Sequence, residues 1–224
     1  MTTNRILALA ALGATLLAAP ACTDGRSDAR ATAVLVDVSG TYADRLPDVM
    51  RIVRAGLLPG IRPGDTFMIV RIADRSYSDE SLIQRVTLDT QPSRANAQKL
   101  GLAQALDGFA ESQKRARYTD ISGALLFASE HLKKTGAGKR AIVIFSDMRE
   151  ELPKGVRRTL EADEFVGTDV FAMNVKRLAA DVNDPAAYRA RLAEWEKKLK
   201  EAGAARWTVV LDPEELAQEF GQDP

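Results

Sequence analysis

Among its 224 residues the chain has one cysteine and one histidine, the side chains that most often hold transition metals or drive nucleophilic catalysis. A single thiol excludes an intramolecular disulfide and any cysteine-based zinc site. His131 lies mid-helix between Glu130 and Leu132, and no Gly-x-Ser-x-Gly elbow accompanies it, so a serine-type triad has no basis. Charge of one sign is lacking too, with 31 basic residues against 31 acidic, so no global field draws nucleic acid or anionic lipid. The basic strings Lys114-Arg115-Ala116-Arg117 and Arg157-Arg158 read as solvated helix ends or loops.

Long apolar runs are also scarce. The longest, ILALAALGATLLAA, follows Arg5, the only charge in the first 21 residues, and is too short and alanine-rich for a membrane span. A basic start, a short apolar run and Ala19-Pro20-Ala21 describe an export signal over residues 1–21. Cys22 follows at once, and this placement resembles a bacterial lipoprotein lipobox, although Ala19 stands where leucine is usual. The resemblance implies a lipidated Cys22 and membrane anchoring in the periplasm. Ala19-Pro20-Ala21 equally fits ordinary cleavage that releases a soluble periplasmic protein. Loss of residues 1–21 removes one base and no acid, which leaves a net charge of −1. Residues 22–31 are polar and read as a tether.

The whole chain is 46% hydrophobic and 28% charged, which suits one domain with a sizeable core, set at residues 32–221. Strand patterns over 33–38, 66–73, 140–146, 169–175 and 207–211 alternate with helix patterns over 44–58, 93–117, 121–134 and 213–220. Residues 83–88 alternate weakly and predict a short edge strand. Asp184-Pro185 opens a further helix with Tyr188, Leu192, Trp195 and Leu199 on one stripe, closed by Gly203. The alternation predicts an α/β fold: a doubly wound, mostly parallel six-stranded sheet of order 3-2-1-4-5-6 with helices on both faces.

Three segments carry the chemistry. Asp37-Val38-Ser39-Gly40-Thr41 ends the apolar run ATAVLV with one carboxylate and two hydroxyls. Tyr118-Thr119-Asp120-Ile121-Ser122-Gly123 opens a helix, and Ile142-Val143-Ile144-Phe145-Ser146-Asp147 is a second buried strand ending in a carboxylate. In open α/β sheets ligands sit beyond the carboxyl ends of strands where the strand order reverses, and strands one and four meet there. Asp37 and Asp147 therefore face one crevice. Oxygen-only donors of this kind suit a hard divalent cation. Each string alone is an ordinary turn or helix cap; their order and shared placement at element ends are what point to a site.

DVSGT resembles the Asp-x-Ser-x-Ser/Thr signature of von Willebrand factor A-like domains, YTDISGAL that family's second motif and VIFSD its third. The resemblance covers about Thr32 to Phe220. It implies a metal-ion-dependent adhesion site (MIDAS) at Asp37, Ser39, Thr41, Thr119 and Asp147, holding Mg²⁺ or alternatively Mn²⁺ or Ca²⁺. It also implies protein recognition without turnover, through a partner's Asp or Glu carboxylate, and the short antiparallel edge strand. Asp120 is then either a carboxylate behind the ligands or, more simply, a helix-start charge. Glu150 and Glu151 either rim the site or are solvated. DVSGT also resembles the Asp-x-Asp-x-Thr motif of haloacid dehalogenase phosphatases, but Ser39 occupies the position of the acid/base carboxylate and cannot do its work. A metal-free scaffold of the same fold is the remaining alternative.

Overall fold

The computed structural model describes residues 28–40, 42–174 and 179–221. The export signal, Cys22 and most of the tether lie outside the described residues, as does Thr41. Six strands form one sheet in the order β3-β2-β1-β4-β5-β6: β1 Arg30–Asp37, β2 Thr66–Ile72, β3 Leu82–Thr87, β4 Lys139–Phe145, β5 Thr168–Met173 and β6 Arg206–Val210. All neighbours run parallel except β2 and β3, which pair antiparallel. Expected order and edge strand both hold. β1 begins at Arg30, before the expected start at Ala33, because Arg30 and Ala31 pair with Lys139 and Arg140 of β4.

Every residue of β1 from Ala31 to Asp37 is buried, as a strand covered on both faces must be. Side-chain alternation sorts the core into two layers. Val34, Val36, Phe67, Ile69, Val143 and Phe145 point to one face. There they pack against α1 (Leu46–Ile52), α2 (Pro92–Ser112) and α6 (Pro213–Gly221). Ala33, Leu35, Met68, Val70, Ile142 and Ile144 point to the other, against α3 (Ile121–Lys133) and α5 (Pro185–Glu201). Trp195 and Leu199 of the expected stripe are buried in that second layer. A short helix over Ala179–Asn183, α4, was not foreseen.

Two helix boundaries depart from expectation for reasons in the backbone. The pattern over 93–117 ends as helix at Ser112, because Ala116 leaves to pair with the β1 loop: its N–H donates to Val38 O at 2.9 Å. The pattern over 44–58 breaks into a 3-10 turn at Tyr42–Arg45, α1, a π turn at Val53–Leu57 and a final turn at Leu58–Gly60. A side chain at Gly60 would collide with the Phe220 carbonyl of α6, so glycine allows that close crossing. Among the described residues no helix is long and apolar enough to cross a membrane.

Candidate metal centre

β1 and β4 deliver their last residues side by side. Val36 is in register with Phe145, so one step further along both strands Asp37 comes opposite Ser146. Ser146 Oγ donates to Asp37 Oδ2 at 2.8 Å, and its own Oγ accepts the Met148 N–H at 3.0 Å. The other oxygen, Asp37 Oδ1, accepts the Ser39 N–H at 2.8 Å and the Ser39 hydroxyl at 2.5 Å. The strand has just ended, and Asp37 turns back on Ser39 to hold the loop in place of lost ladder bonds.

Thr119 joins from the opposite side of the crevice, its Oγ1 donating to Ser39 Oγ at 2.6 Å. The backbone there is clamped from both directions. Thr119 N–H donates to Glu151 O at 2.8 Å and Glu151 N–H returns to Thr119 O at 3.0 Å. The loop after β4 and the loop before α3 are thereby fixed to each other. Of the five residues singled out in the sequence, Asp37, Ser39 and Thr119 form one hydrogen-bonded chain, and Thr41 lies outside the described residues. Asp147 stands at the end of the neighbouring strand. Its Oδ1 accepts the Arg149 N–H at 2.8 Å, and Oδ2 lies 3.7 Å from Arg149 Nε.

Residues behind the site do much of the positioning; Asp120 and Glu150 were singled out in the sequence, whereas Arg158, Asp181 and Arg191 were not. Asp120 is fully buried; it caps α3 through the Gly123 N–H at 2.8 Å, accepts the Ser76 N–H at 2.9 Å and receives Arg158 Nη2 at 2.7 Å. It is the helix-start charge offered by the sequence and, in addition, a buried anchor for Ser76 and Arg158. Glu150 does not rim the crevice as a free carboxylate: it accepts the Ser122 N–H at 2.7 Å and the Ser122 hydroxyl at 3.1 Å. Asp181 of α4 accepts Arg191 at 2.8 Å and Arg149 at 2.5 Å, and Arg191 Nε holds the Asp147 carbonyl at 2.9 Å. Trp195 Nε1 fixes the next carbonyl, Met148 O, at 2.9 Å. The signal available for Ser146 was its place directly opposite Asp37 once the two strands are set in register. Asp120 and Arg158 are 38 positions apart, and no local pattern joins them. His131 is half-buried, stacks on Phe127 and takes no part.

Burial pushes the Asp37 carboxyl up to about 6, against the lowering effect of its bonds from Ser39 and Ser146, and the nearby Asp147 charge adds to the rise. Asp147 is raised as well, by burial first, against its bond from the Arg149 amide and the charges of Arg191 and Arg149. Burial likewise raises Glu150. Asp181 behaves differently: burial pulls it up, but the bonds and charges of Arg191 and Arg149 outweigh that and hold it low.

A buried carboxylate with hydroxyl partners and no cation against it suits a divalent metal, because ionisation there lacks the compensating charge that burial demands. Among the described residues Asp37 forms no ion pair, and no three His, Cys, Asp or Glu side chains cluster. Any cation would therefore be held chiefly by hydroxyls, and each hydroxyl that donates to a carboxylate still has a lone pair to give. The residues present fit a hard cation on that chemistry.

The architecture is that of von Willebrand factor A-like domains. No protein-family model matches the chain, and no curated protein matches it. Among solved structures it is similar to the manganese-loaded TRAP protein of Plasmodium vivax, with a TM-score of 0.51 and 13% identity over 87% of this chain and 74% of that one. A von Willebrand factor type A protein of Catenulispora acidiphila aligns at 0.50 and 11% identity, over 87% of this chain and 41% of that one. The PilB minor pilin of Streptococcus sanguinis aligns at 0.51 and 11%, over 86% and 60%. The chain thus spans less than two thirds of each of the last two proteins.

Proposed function

We propose that the chain is a metal-dependent protein-binding module of the bacterial envelope, which captures an Asp or Glu carboxylate of a partner protein. Asp37, Ser39, Thr41, Thr119 and Asp147 would hold Mg²⁺, Mn²⁺ or Ca²⁺. Such a cation, bound by more neutral than charged oxygens, supplies an electrophilic position for an incoming carboxylate. The observation that carries this reading is the chain Thr119 to Ser39 to Asp37, in which the Thr119 hydroxyl donates to Ser39 Oγ and the Ser39 hydroxyl to the buried carboxylate. The likeness to the manganese-loaded protein agrees with it.

The chain's own residues define the rest. Ser39 donates to Asp37 and accepts from Thr119, which leaves one lone pair on its Oγ for a cation, and Ser146 keeps Asp37 Oδ2 from turning away. The Thr119–Glu151 clamp sets the distance across the crevice. Binding without turnover is the reading these roles favour: among the described residues the direct hydrogen-bond partners of Asp37 are Ser39 and Ser146, whose hydroxyls do not ionise near neutral pH.

Thermal melting tests the metal. At a hundredfold excess over Kd a ligand of the folded state adds about 2.7 kcal/mol, which is several degrees in Tm. Wild-type protein should gain this in Mg²⁺ or Mn²⁺ and lose it in chelator, while Asp37→Ala should fold and show no gain. A wild-type Tm indifferent to saturating metal and to chelator overturns the proposal.

A further inference from the structure

Beside the candidate metal centre lies a second concave site of about 420 Å³, lined by Arg71, Arg75, Lys114 and Arg115 with Asp74 and Glu80. The two sites share a wall. Val38 and Ala116 line the cavity, and Ala116 pairs with Ser39 across an isolated parallel bridge. The sequence presents Lys114 and its neighbours as a solvated helix end; folding gathers them with two arginines from elsewhere.

The charges do not cancel locally. Arg115 is engaged with Asp44 and the Gly40 carbonyl, and Asp74 Oδ1 is committed to the backbone N–H groups of Arg117 and Tyr118. Among the described residues the side chains of Arg71, Arg75 and Lys114 form no hydrogen bond or ion pair, and the four basic side chains of the lining outnumber its two carboxylates, Asp74 and Glu80. Arg71 is the telling member. It continues the face of β2 that carries Phe67 and Ile69, which leaves it half-buried at the strand's end, with a buried Nε that has no partner. A buried guanidinium donor without an acceptor costs free energy that an incoming anion would return.

We infer that this cavity binds an acidic peptide segment: carboxylates of the partner neighbouring the one held at the metal centre. This rests on the carboxylate-capture reading for the first acidic side chain, and it assigns the partner's charge pattern as a cluster of Asp or Glu. Two adjoining subsites then share one ligand, which raises affinity by effective concentration. Peptide rather than phosphate chemistry is favoured because the three cations come from different segments, β2, the loop after it and the loop after α2, and adjoin the Ser39 loop, where a chain passing through the crevice would run.

The test is fluorescence anisotropy of a labelled hexaglutamate peptide in low salt, with Mg²⁺ or with chelator, on the wild type and on Lys114→Ala, Arg75→Ala and Arg71→Gln. Lys114 and Arg75 are exposed, so their variants fold even if Arg71→Gln does not. Each lost charge is expected to weaken binding about threefold to fivefold, with a shallower salt dependence. If chelator abolishes binding and the basic variants bind like wild type, the cavity inference falls while the metal reading stands. Variants that weaken binding while chelator changes nothing leave the cavity standing and remove the metal reading. Inorganic phosphate or phosphatidylglycerol vesicles that displace the peptide at concentrations below its own Kd, through the same residues, overturn the acidic peptide in favour of a phosphate group.

Discussion

At the scale of single residues, the candidate site is a balance between burial and charge. Asp37 is buried and titrates near 6 in the folded protein, against about 4 in an unfolded chain. Its folded pKa is raised, so the stability it contributes is full below about pH 4 and is lost as pH rises through about 6. Two units correspond to about 3 kcal/mol as an order of magnitude. Unfolding free energy of the metal-free protein should therefore fall between pH 4 and pH 7, and Asp37→Asn should flatten much of that slope. Asp147 and Glu150, also raised, supply what remains. A slope identical in wild type and Asp37→Asn, followed by urea denaturation at each pH, contradicts the assignment. Ser146→Ala should move the other way: with one hydrogen bond to Asp37 gone and the Met148 amide left unpaired, it should lose about 1–3 kcal/mol and titrate Asp37 higher. Asp37, Ser39, Thr41, Thr119 and Asp147 are element-end carboxylates and hydroxyls, which a local reading singles out, and the structure joins Asp37, Ser39 and Thr119 by hydrogen bonds. Ser146 stood in the same quoted string, yet its role follows from strand register, which no short window contains.

At the scale of elements, the loops around the site are held by contacts distant in sequence. Asp120 caps α3 and carries the bidentate Arg158, so one buried carboxylate ties the helix to the long loop between β4 and β5. Removing one partner of a buried pair leaves a desolvated charge, and Arg158→Ala should cost about 3 kcal/mol. Arg158→Ala combined with Asp120→Asn should recover part of that loss, a coupling that a double-mutant cycle measures. Gly123 permits the cap, since a methyl group there would overlap both oxygens of Asp120. Gly123→Ala should thus displace Asp120 and, one residue away, Thr119. Its effect on metal-dependent melting should exceed that of an exposed substitution such as Gly101→Ala, which has open space around it in α2. The helices and strands themselves were legible from periodicity; the end of α2 was not. Residues 113–117 continue a polar helical pattern, and the bonds of Ala116 to Val38 and Gly40 and of the Arg117 N–H to Asp74 take them out of it.

At the scale of the whole molecule, strand order was readable because alternating strands and helices with right-handed crossovers leave few topologies, and one of them puts β1 beside β4. That order also separates the two ends of the protein. β1 enters the sheet at Arg30 and delivers Asp37 at the opposite edge, seven residues later, a span of about 23 Å at strand rise. A lipid anchor on Cys22 would hold the edge where β1 begins toward the membrane and turn the metal centre and its basic neighbour outward, where a partner can reach them. Anchoring then serves presentation, and the site should not depend on it. Wild-type protein should label with palmitate and sediment with membranes, since the several acyl chains of a lipoprotein anchor hold stably where one chain is marginal. Cys22→Ser should lose both labelling and sedimentation yet keep the same metal-dependent rise in Tm. Wild type found wholly in the soluble periplasmic fraction, unlabelled, decides for simple signal cleavage at Ala19-Pro20-Ala21. Loss of the Tm response in Cys22→Ser would instead mean that the N-terminal segment contributes to the site itself, against the separation of the two edges that β1 imposes.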